Sequence, residues 1–462
     1  MGFESSTPID LITDGTPITY GVVQPGPEDE NGVLFIRGGD IFSGRINISS
    51  LRTISSELSH QYRRTLLRGG ELLISLVGNP GEVAIAPVEM AGSNIARQVG
   101  LIRVDEKRFN PWFVQYYLMS PAGKAQLFSY SLGSVQSVIN LKELRRVEIP
   151  NAPIEVQNLI VKSLKDIDDK IDLNRRINQT LEAMAQATFK SWFVDFDPVK
   201  AKIAALTEGR DPLRAAMSAI SGKPDAELDT LPPEQYDQLA ATAALFPDEM
   251  EDSELGEIPR GWACGALGDI CTFTAGSAFA PEHQGSTEGD YPFIKVSDMN
   301  LAGNEVFIQS ANNYVSKAQQ SKMKAKLHPF GATVFAKIGV ALISNRRRLL
   351  TSPTIIDNNL MSASPVEGKS GQYFLYSLLS TLDFNTLVSG TALPYINVSD
   401  LKKIPIVRPP YDACCAFEAK AASMFSMMQT LAAQSSTLAT TRDALLPKLL
   451  SGEIEASGTF VG

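Results

Sequence analysis

Two stretches of the chain space their apolar residues at alternating intervals of four and three. Ile160, Leu164, Ile167, Ile171 and Asn174 keep that spacing, with Leu181 seven residues further on; Phe417, Ala421, Met424, Met428, Leu431 and Leu438 occupy the equivalent positions of the second stretch. Such a seam belongs to a helix that faces another helix, and each stretch predicts a helix of about 35 residues and about 50 Å. Two seams in one register on one chain imply that the helices pair with each other; an amphipathic helix lying on its own domain is the plainer alternative. Ahead of each seam the pattern changes to short apolar runs closed by glycine-rich breakers. Val33–Ile36 and Leu72–Leu76 read as strands. Pro111 to Leu127 predicts a helix with proline in its first turn and Phe113, Tyr116, Tyr117 and Met119 available for packing.

The two halves repeat. Gly133 to Phe189 can be laid on Gly390 to Leu446 at a constant offset of 257, placing Ile139-Asn140 on Ile396-Asn397 and Pro153 on Pro410. Upstream, Phe293-Ile294-Lys295 answers Phe35-Ile36-Arg37, and Asp298 answers Asp40. A period this long signals a duplicated domain-plus-helix unit. The predicted order is a mixed α/β domain at 1–152, a long helix at 153–196, an acidic connector at 197–256, a second α/β domain at 257–409, and a second long helix with a tail at 410–455.

The 462 residues are 44% apolar and 20% charged, which suits two or three folded domains. No uncharged apolar run reaches the length of a membrane span, and the first residues carry no leader pattern, so a cytoplasmic location is expected. With no Cys-x-x-Cys pair and only three histidines, no metal site is predicted. The net charge of −9 speaks against a polyanionic partner until it is resolved by segment. Residues 197–256 hold 5 Lys/Arg against 13 Asp/Glu, whereas 257–408 hold 14 against 11. Charge therefore permits nucleic-acid binding in the second domain.

The polar residues in the turns are the candidate DNA contacts. Ser75, Gly78, Asn79 and Gly81 form one glycine-rich turn after a strand, and Lys337 with Gly339 forms its counterpart. Glycine lets backbone amides approach a phosphate, although a plain β-turn uses the same residues. Asn345-Arg346-Arg347-Arg348 is the densest basic cluster, suited to phosphate or guanine contacts, or else a solvated edge. Arg37, Asp40, Asn94 and Arg97, then Lys295, Asp298 and Asn358, are polar groups placed where base edges are read, with ordinary loop polarity as the rival. Ser134, Gln136 and Ser137, and Thr391 with Tyr395, lie in loops suited to clamping a nucleic-acid backbone or to capping a helix. Asn140 and Asn397 read as caps. No catalytic residues are predicted. Asn110-Pro111-Trp112-Phe113 and Arg408-Pro409-Pro410-Tyr411 each depart from the Asn-Pro-Pro-Tyr box of adenine methyltransferases, and neither a P-loop nor a cofactor glycine motif accompanies them.

Four local signatures carry a family resemblance: Ser191-Trp192-Phe193-Val194-Asp195-Phe196-Asp197-Pro198-Val199, Leu245-Phe246-Pro247-Asp248, Ser253 through Trp262 (SELGEIPRGW), and Leu445 through Ile454 (LLPKLLSGEI). Together with the repeat they resemble the specificity subunit of type I restriction–modification systems, although the first unit lacks an Ile-Pro-x-Gly-Trp opening. The resemblance implies a non-catalytic DNA reader. Two target-recognition domains would each read one half of a split double-stranded DNA target. The long helices would pair antiparallel, with approximate two-fold symmetry, as a ruler for the unread spacer. It also implies methyltransferase subunits as partners (two are expected), which bind S-adenosylmethionine themselves, together with a translocase–nuclease subunit. Trp192, Phe193 and Phe196 are the expected partner-docking residues. Two other classes stay open from the residues alone: a stand-alone methyltransferase or nuclease with a degenerate site, and a coiled-coil protein scaffold.

Overall fold

The computed structural model describes residues 3, 5–48, 51–129, 138–390 and 394–454. The chain divides into two compact units, Met1–Ile171 with Thr437–Gly462, and Asp172–Ser436. Both cuts fall within the long helices.

In the first unit, β1 (Thr19–Tyr20), β2 (Val33–Ile36), β3 (Leu72–Ser75), β4 (Val83–Ile85), β5 (Asn94–Ile95) and β6 (Val99–Ile102) form the sheets. The main sheet is antiparallel in the order β1-β6-β3-β4, with Val99 opposite Ser75 and Ile74 opposite Val83. A smaller sheet pairs β2 with β5 in parallel. The predicted helix over 111–127 is broken in two, α1 (Pro111–Met119) and α2 (Pro121–Ser129). Ser120 turns extended there because Pro121 disfavours a helical residue before it, and the Ser120 hydroxyl accepts from Gly123 N–H at 3.2 Å. Asn110 caps α1 by accepting from Trp112 N–H at 2.9 Å and donates to Asn158 at 2.8 Å. The near-match to a methyltransferase box is thus a helix start fastened to the long helix α3 (Ile154–Phe193). The core sets Leu72 and Ile74 against Phe113 and Tyr116. Ile160 and Leu164 of α3, with Leu446, Leu449 and Leu450 of the second long helix, close it. Tyr116 donates to Asp168 of α3 at 2.6 Å, and Arg442 bonds the same carboxylate at 2.7 Å.

The second unit contains the middle of the chain, expected as an acidic connector, which folds into helices with a core of their own. The helices α4 (Asp197–Thr207), α5 (Pro212–Ser221), α6 (Asp225–Leu228) and α7 (Pro233–Ala244) bury Val199, Ala216, Met217, Ile220, Leu228 and Ala243. Most of its charge lies outside, where Arg214 bonds Asp225 and Asp229, both at 2.8 Å, while Lys202 is buried and donates to Phe246 O. Beyond it come β7 (Cys271–Ala275), β8 (Tyr291–Ile294), β9 (Phe307–Ile308), β10 (Thr333–Ala336), β11 (Arg347–Leu350), β12 (Ile355–Ile356) and β13 (Leu360–Pro365). The main sheet runs β7-β13-β10-β11-β9, and β8 pairs with β12 in parallel. It therefore reproduces the first unit: β13-β10-β11 stands where β6-β3-β4 does. Val22 N–H donates to Ile95 O and Ser277 N–H to Ile356 O, both at 2.8 Å. The residues just before, Gly21 and Gly276, lie so close to the neighbouring strand that a Cβ would collide with its carbonyls.

Helix α8 (Gln372–Thr381) precedes the second long helix, α9 (Tyr411–Leu450). Each long helix has 40 residues, about 60 Å. Within the second unit α3 and α9 run antiparallel. Asn174 donates to Gln434 at 2.9 Å and to Ser435 at 3.2 Å, while Asn178, one turn later, donates to the Met428 carbonyl at 3.1 Å, about two turns earlier. The buried positions of α9 are Phe417, Ala421, Phe425, Met428 and Ala432. Met424 and Leu431, which the sequence seam selected, are only half-buried. The aromatic ring of Phe425, stacked on Tyr373 at 4.3 Å, takes the inward place one residue along.

Candidate nucleic-acid interface

The hairpin loop after the central strand is built alike in both units. In the first unit, residues 76–82 join β3 to β4, and Ile139 N–H donates to Leu76 O at 3.0 Å. In the second, residues 337–346 join β10 to β11, and Ile396 N–H donates to Lys337 O, also at 3.0 Å. Gly78 and Gly339 occupy equivalent places with φ of 93° and 79°, left-handed values that glycine adopts without strain. The second loop is three residues longer and contains a helical turn, Val340–Ile343.

A turn leads toward each loop. Asp40, 3% exposed, accepts from Arg37 N–H at 2.8 Å and holds the Arg37 guanidinium at 2.9 Å. Asp298, fully buried, accepts from Lys295 N–H at 2.6 Å and from the Asn312 amide at 2.6 Å. These aspartates close turns with their carboxylates and do not face a groove, contrary to the expectation. In the first unit the turn continues into a hairpin, Ile41–Phe42 against Arg45–Ile46, with Ser43 and Gly44 both at positive φ. Ser43 N–H donates to Glu82 at 2.6 Å, tying this hairpin to the 76–82 loop and leaving Phe42 53% exposed. In the second unit Asn300 accepts from Arg346, which ties the same two segments.

Other candidates are also spent internally. Ser75 is fully buried and donates to Val77 O; Gly81 is buried against the Phe128 ring. Asn94, fully buried, bonds Thr65 at 2.6 Å and Ser59 at 3.2 Å. The basic cluster divides. Arg346 is exposed. Arg347 is 4% exposed, lies 3.9 Å from the Phe384 ring centre, and donates to Leu379 O and Leu382 O at 3.2 and 2.9 Å. Burial brings its pKa down to about 10. Arg348 is half-buried, donates to Met299 O at 3.3 Å, and is likewise lowered by burial. Asn345, at φ 54°, donates to Leu382 O at 3.2 Å.

The structure leaves Arg37, Gly78, Asn79 and Arg97 wholly or partly at the surface of the first unit, and Lys295, Lys337, Gly339, Arg346, Asn358 and Tyr395 at that of the second. Ser134, Gln136, Ser137 and Thr391 lie outside the described residues. Phe42, Val340 and Ile343 are exposed apolar residues at these loops that the candidate contacts did not include. Between Gly339 and Asn345 an apolar run reads as a strand or core segment, and only the fold exposes it.

Trp192, Phe193 and Phe196 form core, not a docking face; they are 1%, 7% and 8% exposed. Trp192 meets Phe246 edge-on at 5.4 Å, Phe193 meets Phe374 at 5.1 Å, and Phe196 meets Trp262 at 5.7 Å. Three of the four motifs that carried the resemblance are joined in one aromatic cluster, whereas Leu446, Leu449 and Leu450 of the fourth pack in the first unit.

A chain made of two such α/β units with a shared loop construction is a duplicated recognition protein. The family described as the type I restriction modification DNA specificity domain matches residues 27–183 and again 259–433, and the chain belongs to it. It is a DNA-recognition subunit of a restriction–modification system and not itself an enzyme. Over 440 residues it is 30% identical to the type I restriction enzyme HindI specificity subunit of Haemophilus influenzae, covering 91% of this chain and 94% of that one. It is 28% identical to the MjaIX specificity subunit of Methanocaldococcus jannaschii, over 73% of this chain and 68% of that protein. Among solved structures, the S subunit from M. genitalium aligns with 96% of this chain and 95% of its own at 14% identity and a TM-score of 0.47. Among the described residues, no helix is long and apolar enough to cross a membrane.

Proposed function

We propose that this subunit reads a bipartite double-stranded DNA target, one half with each unit. The paired long helices set the unread gap, and methyltransferase and translocase–nuclease subunits assemble on it. The observation that carries this reading is the duplication with divergence. The same strand–loop–strand scaffold occurs twice, but 76–82 offers Gly78 and Asn79 beside Phe42, whereas 337–346 offers Lys337, Val340 and Arg346. Equivalent scaffolds with different tips suit two half-sites of different sequence. Two methyltransferase subunits, one for each unit, fit the same duplication. Trp192, Phe193 and Phe196 are buried, so the partner subunits dock on other residues.

The test is to co-express the chain with its methyltransferase partner and map N6-methyladenine across a genome. A two-part motif with a constant gap is expected, and exchanging residues 257–409 for another recognition domain should change one half alone. Methylation indifferent to that exchange refutes the proposal. The chain alone with S-adenosylmethionine and DNA should give no turnover.

A further inference from the structure

Resting on the reading above, we infer that the second unit recognises thymine through an apolar tip, with Val340 and Ile343 contacting the 5-methyl group in the major groove. The tip is a single helical turn, in which residues three apart share a face. Leu342, 2% exposed, anchors the opposite side in the unit. Val340 and Ile343 are therefore turned outward together, 80% and 51% exposed. The loop beneath them is held at both ends: Gly339 N–H donates to Pro394 O at 2.7 Å, and the Asn345 amide bonds Leu382 O. Beside the tip lies a cleft of about 280 Å³ lined by Val296, Met299, Asn300 and Arg346.

Charge selects the occupant. From Gly331 to Ile356 the chain carries Lys337, Arg346, Arg347 and Arg348 and no carboxylate. Two of these cations, Lys337 and Arg346, reach the surface around the tip. An apolar point flanked by two cations, with Asp383 on the neighbouring segment, fits a polyanion that presents an apolar group, and in the major groove of duplex DNA that group is the thymine methyl. The first unit has no such tip on its 76–82 loop, so this contact belongs to one half-site.

The experiment uses the complex of the full chain with its methyltransferase partner and a duplex carrying the mapped motif. Each thymine is replaced in turn by deoxyuridine, which deletes only the methyl group. At one or two positions, all within the half-site that follows residues 257–409, the replacement should weaken wild-type binding about fourfold, the yield of burying one methyl group. The Val340→Ser/Ile343→Ser variant should bind the thymine duplex more weakly by a similar factor and no longer distinguish the two bases. Both side chains are exposed, so the fold should survive, and an unchanged melting temperature of the variant complex reports that it has. Wild-type binding indifferent to every deoxyuridine in that half-site overturns the inference. So does a half-site without thymine on either strand, or a variant that still discriminates. A variant weakened equally on all sequences also overturns it, since the tip would then touch only the DNA backbone. Absence of any two-part motif defeats both proposals, and the genome map reveals that first.

Discussion

Replacing Arg347 by alanine separates a structural role from a DNA contact within the run Arg346-Arg347-Arg348. The Arg347 guanidinium serves the C-terminal end of α8, donating to Leu379 O and Leu382 O, and lies over Phe384. Carbonyls at a helix end have no partner in their own helix and carry the negative end of its dipole. With alanine, Leu379 O loses its side-chain donor inside the unit, Leu382 O keeps only Asn345, and the ring contact disappears. A buried polar group left unpaired costs about 1–3 kcal/mol, and the lost cation–π contact and stem packing add to that. The total is about 4 kcal/mol, a large part of the 5–15 kcal/mol typical of a whole domain. For a unit of this size the melting temperature should fall by about 10 °C. Arg346→Ala, on an exposed side chain, should change stability by about 0.5 kcal/mol or less. It should instead weaken DNA binding and flatten its salt dependence. Thermal and urea unfolding of the full chain in its methyltransferase complex, with binding measured over a salt series, gives both readouts. If Arg347→Ala melts like wild type while its salt slope drops, the assignment of Arg347 to the core is wrong.

Three further outcomes follow from the packing. Trp192→Ala should cost about 3–5 kcal/mol in the same unfolding assay, because the ring is buried among Phe193, Phe246 and Phe417; unchanged stability with loss of the partner subunit would restore the docking role. Asp168→Ala strands the Tyr116 hydroxyl and leaves Arg442 with Asp443 in the first unit, and should cost about 2 kcal/mol. Combined with Tyr116→Phe, the losses should be less than additive in a double-mutant cycle, and strict additivity would rule out the coupling. His328 is fully buried with Nδ1 2.7 Å from the Ser362 hydroxyl, and burial lowers its pKa from 6.5 to about 4. A depressed histidine pKa favours the fold fully above the unfolded value, and that contribution is lost as pH falls toward the folded one. Between pH 7.5 and pH 5 the second unit should lose about 2 kcal/mol. His328→Gln should flatten that decline, and an unaltered pH profile in the variant would exclude His328 as its source.

The seams, the strands at Val33–Ile36 and Leu72–Ser75, and the duplication were legible because they rest on periodicity and order. The seam on α9 was read one residue off at Met424 and Leu431, since methionine and leucine look as apolar as Phe425 and only packing shows which faces inward. The middle of the chain, expected as an acidic connector, folds as four helices because Val199, Met217, Ile220 and Leu228 supply a core beneath its surface charge.

Among the candidate contacts, composition did not separate the polar side chains that the fold buries from those it leaves exposed. Asp40, Asp298, Asn94 and Arg347 are as polar in sequence as Arg97 or Arg346. A buried polar group is stable only when its neighbours complete its hydrogen bonds, and those neighbours come from distant parts of the chain. Local spacing and order thus determined by themselves that this protein is two similar α/β units, each followed by a long helix. Which polar side chains are consumed inside each unit, and which apolar ones are pushed out at its loop tips, was decided only when the chain closed on itself, because burial is a property of the assembled fold.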